Sequence, residues 1–159
     1  MDRDKNVERI RRMLTRAALE GTLNRLSIQP LENDILIGDY CHVIKVSKKD
    51  LKLDVSELIE RGMYPKDNLQ MSLESREDET EYSIVGELLP RHVSQRLYEL
   101  YSDTTDRTVY VRKDLIDEYG EEIEIHGKGP CDRLRIWRLG EGSIGAVMPM
   151  YPNKVRGLY

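Results

Sequence analysis

Short aliphatic runs bounded by turn residues do most to limit what this chain can fold into. DILIG (34–38), HVIKVS (42–47), RTVYV (107–111), EIEIH (122–126), RLRIW (133–137) and IGAVM (144–148) are each five or six residues long. Runs of that length, rich in β-branched residues and punctuated by Gly, Asn and Asp, read as strands joined by tight turns. LNRLSIQP (23–30) and EYSIVGELL (81–89) add two more candidates.

Helical spacing is found beside them. In VERIRRMLTRAALE (7–20), Val7, Ile10, Leu14, Ala17 and Ala18 form one apolar face, with Asn6 as N-cap and Gly21 past the end. Lys5, Arg9, Arg12 and Arg16 lie three or four apart and line the opposite face with charge of a single sign. Pro90 is suited to open a second helix over RHVSQRLYELYS, where Val93, Leu97, Leu100 and Tyr101 recur at i, i+4, i+7 and i+8. His92 and Arg96 share another face of that predicted helix. RKDLIDEY (112–119) reads as a short helix stopped by Gly120, and SELIERG (56–62) as another. Residues 50–70 otherwise stay ambiguous, with LKLDV as a candidate strand, and the acidic stretch 74–81 reads as a solvated loop or edge.

The element order therefore repeats weakly as helix, then a three-strand meander. Such units bury one sheet face under helices, which is an α+β layered arrangement. The expected organisation is a single domain over 1–159. Its first unit is about 5–55, followed by a variable acidic insert of about 56–80, a second unit of about 81–150 and a tail of 151–159.

Composition narrows the classes. The chain has 159 residues, 39% hydrophobic and 34% charged, with net charge −4. It is no polycation, so any anionic partner must be met locally. Residues 1–25 supply such a place, with seven Arg/Lys against four acids. Phe is absent, so Leu, Ile, Val, Met and nine Tyr do the packing. No apolar run approaches membrane length. MDRDKNVERIRR lacks the apolar segment of a secretory signal. With only two cysteines, Cys41 and Cys131, a cytoplasmic chain with free thiols is the simplest expectation.

Three stretches resemble a DNA sliding clamp. LSIQPLENDILIGDYCHVIKV (26–46) is similar to the clamp segment ending in an Asp-x-x-His-Val corner, matched by Asp39, His42 and Val43. VYVRKDLIDEYGEEIEIHGKGPCDRLRI (109–136) resembles the late clamp run of strand, short helix, acidic-aliphatic strand and strand. AVMPM (146–150) resembles the bacterial clamp's C-terminal strand. The resemblance implies paired helix-plus-meander units, helices facing duplex DNA, and ring closure by self-association. It implies that Val147, Met148, Pro149 and Met150 help form a groove for partner peptides, for which flexible thioethers are suited. It implies DNA contact through Lys5, Arg9, Arg12 and Arg16, aided by His92 and Arg96, by phosphate contacts without base readout. It implies no enzyme and no cofactor.

Catalytic and metal patterns are weak beside it. Cys41 and His42 are adjacent, so in a strand they point apart, which does not suit a nucleophile and its base. Cys41, His42, His126 and Cys131 are scattered and lack the paired spacing of a zinc site. GKG (127–129) reads as a hairpin turn, lacking the Lys-Ser/Thr that completes a phosphate loop. Asp117, Glu118, Glu121, Glu122 and Glu124 read as a solvated edge. Trp137 among Arg133, Arg135 and Arg138 suggests either a stacking platform or a ring packed under arginine stems.

The sequence thus predicts a clamp-like replication or repair accessory protein that binds DNA non-specifically, docks partner peptides and self-associates. The alternative is a small regulatory module, such as a clamp mimic or inhibitor from a mobile element, that binds protein and never DNA.

Overall fold

The computed structural model describes residues 3–39, 42–50, 54–66, 68–74, 77–90, 95–129 and 132–150, and of residues 3–7 and 9 the backbone only. The chain is mixed α and β, dominated by antiparallel strands, and divides into two compact units at Leu73/Glu74.

In the first unit, helix α1 (Arg3–Glu20) is followed by a 3-10 turn (Leu23–Arg25). Three strands come next: β1 (Ser27–Pro30), β2 (Asp34–Gly38) and β3 (His42–Ser47). They form an antiparallel meander in which Ile28, Ile37 and Ile44 stand side by side. Ile35 and Ile37 point to one face of β2 and Leu36 to the other, and all three are buried. The central strand is therefore covered on both sides, which explains why DILIG is aliphatic without alternation. α1 packs against β3 through Ile10 and Ala17, both buried, with Met13 and Leu14 half-buried beside them. Ala18, placed by the sequence on the apolar face, is exposed, and Met13 takes its place.

Residues 54–73 belong with this unit. Helix α2 (Val55–Glu60) starts at Asp54, whose side chain accepts from the Ser56 amide at 2.9 Å. Strand β4 (Tyr64–Pro65) then pairs in parallel with β1, and a 3-10 turn (Leu69–Leu73) packs on β1 and β2.

The described residues of the second unit form six strands. They are β5 (Thr80–Leu88), β6 (Leu97–Ser102), β7 (Arg107–Arg112), β8 (Ile123–Gly127), β9 (Leu134–Arg138) and β10 (Gly142–Val147). Their order is β10-β9-β8-β5-β6-β7, antiparallel throughout. β5 serves two partners: Thr80, Glu81 and Tyr82 pair with β8, and residues 83–88 pair with β6. A bulge between Ile84 and Gly86 bends it at the change of partner. Past β10 the chain reaches the far end of the order, where the Met150 amide donates to the Tyr110 carbonyl of β7 at 2.8 Å. The curled sheet encloses Tyr82, Leu100, Val109, Val111, Ile125, Leu134, Ile136 and Val147. Helix α3 (Lys113–Asp117) links β7 to β8 and adds Leu115, Ile116 and the following Tyr119 to that core.

The helix predicted over 91–102 is corrected for residues 97–102, which form β6, flanked by β7 along its whole length and by β5 over Leu97–Tyr101. Leu97 and Leu100 are three apart and therefore suit a helix face. In the strand they point to opposite faces, and both are fully buried. Pairing on both sides outweighs the weak helical preference of a Tyr-rich run. Val93 and His92 lie outside the described residues.

Candidate functional site

The basic stripe is built on α1. With Ile10 and Ala17 held in the core, the helical period turns Arg12 and Arg16 outward one turn apart, and both are exposed. Arg11 is exposed on the same helix. Among the described residues none of these three guanidinium groups has a hydrogen bond or ion pair. The backbone of Lys5 and Arg9 continues the same helix; their side chains lie outside the described residues. Arg12 and Arg16 are thus open cations one turn apart on one helix face. Stacked like charges at i, i+4 disfavour the helix by about 0.2–0.5 kcal/mol, a cost that a polyanion on that face would reverse.

Arg96, expected to aid the stripe, is engaged within its own unit. It stands just before β6 in the second unit, 3.4 Å from Glu87, with its own backbone carbonyl taking the Lys113 amide. Its side chain is exposed, so the contact is a weak surface pair.

The C-terminal run is largely interior. β10 ends at Val147, two residues before Pro149, so the proline never interrupts a ladder. Val147 and Pro149 are buried, while Met148 and Met150 are half-buried. The same run contains Gly145, where a Cβ would come 2.5 Å from Tyr119 Cζ. Only glycine lets that ring lie on the strand.

The two ends of the Asp-x-x-His-Val corner are tied together. The Asp39 amide donates to the His42 carbonyl at 2.9 Å, and a Cβ on Gly38 would come 2.8 Å from Val43 Cα. His42 is buried there. Tyr40, Cys41 and Cys131 lie outside the described residues. His126 faces Glu124, Nε2 to Oε2 3.1 Å, and the Trp137 ring, centroids 5.5 Å apart. No group of three His, Cys, Asp or Glu among the described residues is placed to hold a metal ion.

Two of the three arginines around Trp137 are spent on structure. Arg135 is buried and paired with Glu79, also buried. Arg138 is buried, donates to the Tyr119 carbonyl, and approaches Glu141 at 3.3 Å. Neither presents its charge to an outside phosphate.

A polar cluster at α3 escaped the sequence reading. The Tyr98 hydroxyl donates to Asp117 Oδ1 at 2.5 Å, and Lys113 Nζ donates to Asp117 Oδ2 at 2.6 Å and to the Tyr98 oxygen at 3.1 Å. Arg112 holds Asp114 through two bonds, 3.1 and 2.6 Å. Partial burial and the bond to Asp117 push the Tyr98 hydroxyl above its ordinary range. The bond to Asp117, then that to Tyr98, raises the Lys113 ammonium. A cavity of about 290 Å³ beside them is lined by Gln95, Arg96, Lys113, Asp114 and Asp117. The one signal in the sequence was Lys113 and Asp117 at i, i+4. Their charges are mutually satisfied, so the cavity offers a reagent no open charge from that pair.

Set against protein-family models, curated proteins and solved structures, the chain matches none. No helix among the described residues is long and apolar enough to cross a membrane.

Proposed function

We propose that the protein is a non-catalytic accessory of DNA, holding duplex phosphates against α1 without reading base sequence. The observation that carries this reading is the pair Arg12 and Arg16, exposed, one turn apart and without an acidic partner among the described residues, on a chain whose net charge is −4. Guanidinium forks suit phosphate oxygens, and phosphate contact by a helix face positions a protein without specifying sequence. The likeness to a sliding clamp is supported by the order of elements, α1 before the β1–β2–β3 meander in the first unit and β7, α3, β8 and β9 in the second. Self-association through sheet edges belongs to the same proposal, with light scattering over a range of concentrations as its measure. So does partner docking at the C-terminal strand, for which Met148 and Met150 keep partial exposure.

Substitution tests the phosphate contact. Arg12→Gln with Arg16→Gln lowers the affinity for duplex DNA and flattens its salt dependence. Unchanged affinity and slope reject it.

The alternative is a protein-binding module that does not touch DNA. It is favoured by Arg96, expected near a phosphate but engaged by Glu87, and by Arg135 and Arg138 beside Trp137, which are buried.

A further inference from the structure

We propose that the second unit takes an extended peptide of alternating apolar and basic residues into the fork between β5 and β8. β5 leaves β8 after Tyr82↔Ile125. Continued ladder pairing would set Glu124 and Ile123 opposite Ser83 and Ile84, but the strands part there and residues 83–88 pair with β6 alone. One edge of that segment therefore has no strand partner among the described residues. An edge with unpaired N–H and C=O groups is the template to which an extended segment adds.

The side chains agree. Ile84 stands opposite Leu100, which in turn stands opposite Val109, and both of those are buried. Yet Ile84 is 49% exposed, because β8 no longer flanks it. Val85, the extra residue of the bulge, is 57% exposed, and Leu89 is 55% exposed. The fork thus opens toward the apolar interior. The segment SIVGEL carries no lysine or proline before Pro90; its edge is guarded by the bulge and Glu87.

Charge selects the occupant. Glu81 and Glu87 on β5, and Glu121, Glu122 and Glu124 on the chain entering β8, are all exposed. Of these, Glu87 has Arg96 at 3.4 Å and Glu124 has His126 at 3.1 Å. A negative rim around an apolar edge favours a strand whose alternate residues are Lys or Arg. A second copy of β5 would bring its own Glu81 and Glu87 against these acids. The occupant is therefore a basic peptide strand of a partner. This uses the second unit alone and stands whether or not α1 meets DNA.

The test is hydrogen exchange on the full chain with a synthetic probe, acetyl-Lys-Val-Arg-Ile-Lys-Val-amide, and its acidic counterpart with Glu at every basic position. The basic probe slows the outward-facing amides of residues 83–88 at least tenfold, and the acidic one binds at least tenfold more weakly. Glu121→Lys with Glu124→Lys reverses that preference. Val85→Lys, at an already exposed bulge, weakens the basic probe on an otherwise unaltered rim. Equal binding of both probes, or protection away from 83–88, overturns the proposal. So does protection of 83–88 that grows with protein concentration in the absence of peptide, which would assign the edge to a second copy.

Discussion

Gly145→Ala isolates the packing on which the second unit depends. Gly145 is a buried strand residue with an ordinary negative-φ backbone, so alanine brings no strain of its own. Its Cβ, however, would come 2.5 Å from Tyr119 Cζ and overlap Cε1 and the hydroxyl. Tyr119 is 1% exposed, and its carbonyl is held by Arg138. The ring cannot swing aside without repacking α3 against the sheet. Overpacking of this kind costs about 1–3 kcal/mol, and a pinned ring places the substitution at the upper end. For a chain of this size about 3 kcal/mol lowers the melting temperature by about 6–12 °C. Urea denaturation is the assay, with a lower midpoint and an unchanged m-value. Tyr119→Leu alone leaves a cavity and destabilises. Combined with Gly145→Ala it costs less than the two single losses together, by about 1 kcal/mol or more, because the clash has been removed. If Gly145→Ala lies within about 0.5 kcal/mol of the parent, as surface substitutions do, the described seating of Tyr119 on β10 is wrong.

Three further outcomes follow from the described contacts. Arg135→Met leaves Glu79 buried without its cation and costs about 3–5 kcal/mol in denaturant unfolding, while Arg135→Met with Glu79→Leu recovers most of it. Asp54→Ala removes the cap of α2 and lowers stability by about 1 kcal/mol in the same assay. Tyr98 has a folded pKa raised above its ordinary 10.0, so its contribution is full below pH 10 and is lost as pH climbs through the raised value. Tyr98→Phe therefore makes the denaturation midpoint fall less steeply above pH 10, and an unchanged alkaline limb contradicts the bond to Asp117.

Much of the fold was legible because local pattern and tertiary demand agree in it. DILIG, HVIKVS, RTVYV and RLRIW became β2, β3, β7 and β9 within a residue of the predicted limits, since aliphatic runs between turn residues have few other ways to be buried. α1 was legible from its apolar period, though Met13 rather than Ala18 completes the face. β6 was not, because Leu97 and Leu100 fit a helix face as well as two faces of a strand covered on both sides. The split of β5 between two partners depends on a bulge at Val85; Gly86 in SIVGEL is a signal for a bulge, but not for a change of partner. The burial of Arg135 and Arg138 was hidden for a similar reason. Arg-rich strands read as charged surfaces, and only the fold brings Glu79 and the Tyr119 carbonyl to them. The seating of AVMPM was not legible, because the sequence cannot show that Val147 and Pro149 turn inward while the Met150 amide ties the end of the run to β7.

The central claim is phosphate contact by α1, and the salt dependence of duplex binding tests it most directly. Each phosphate contact contributes about 0.9 to the slope of log affinity against log salt. Replacing Arg12 and Arg16 by Gln should therefore reduce that slope by about 1.8 and weaken binding about sixtyfold near 0.1 M salt, equally for duplexes of unrelated sequence. A parent protein that binds duplex DNA with the same slope as the double variant, or does not bind it at low salt, contradicts the account.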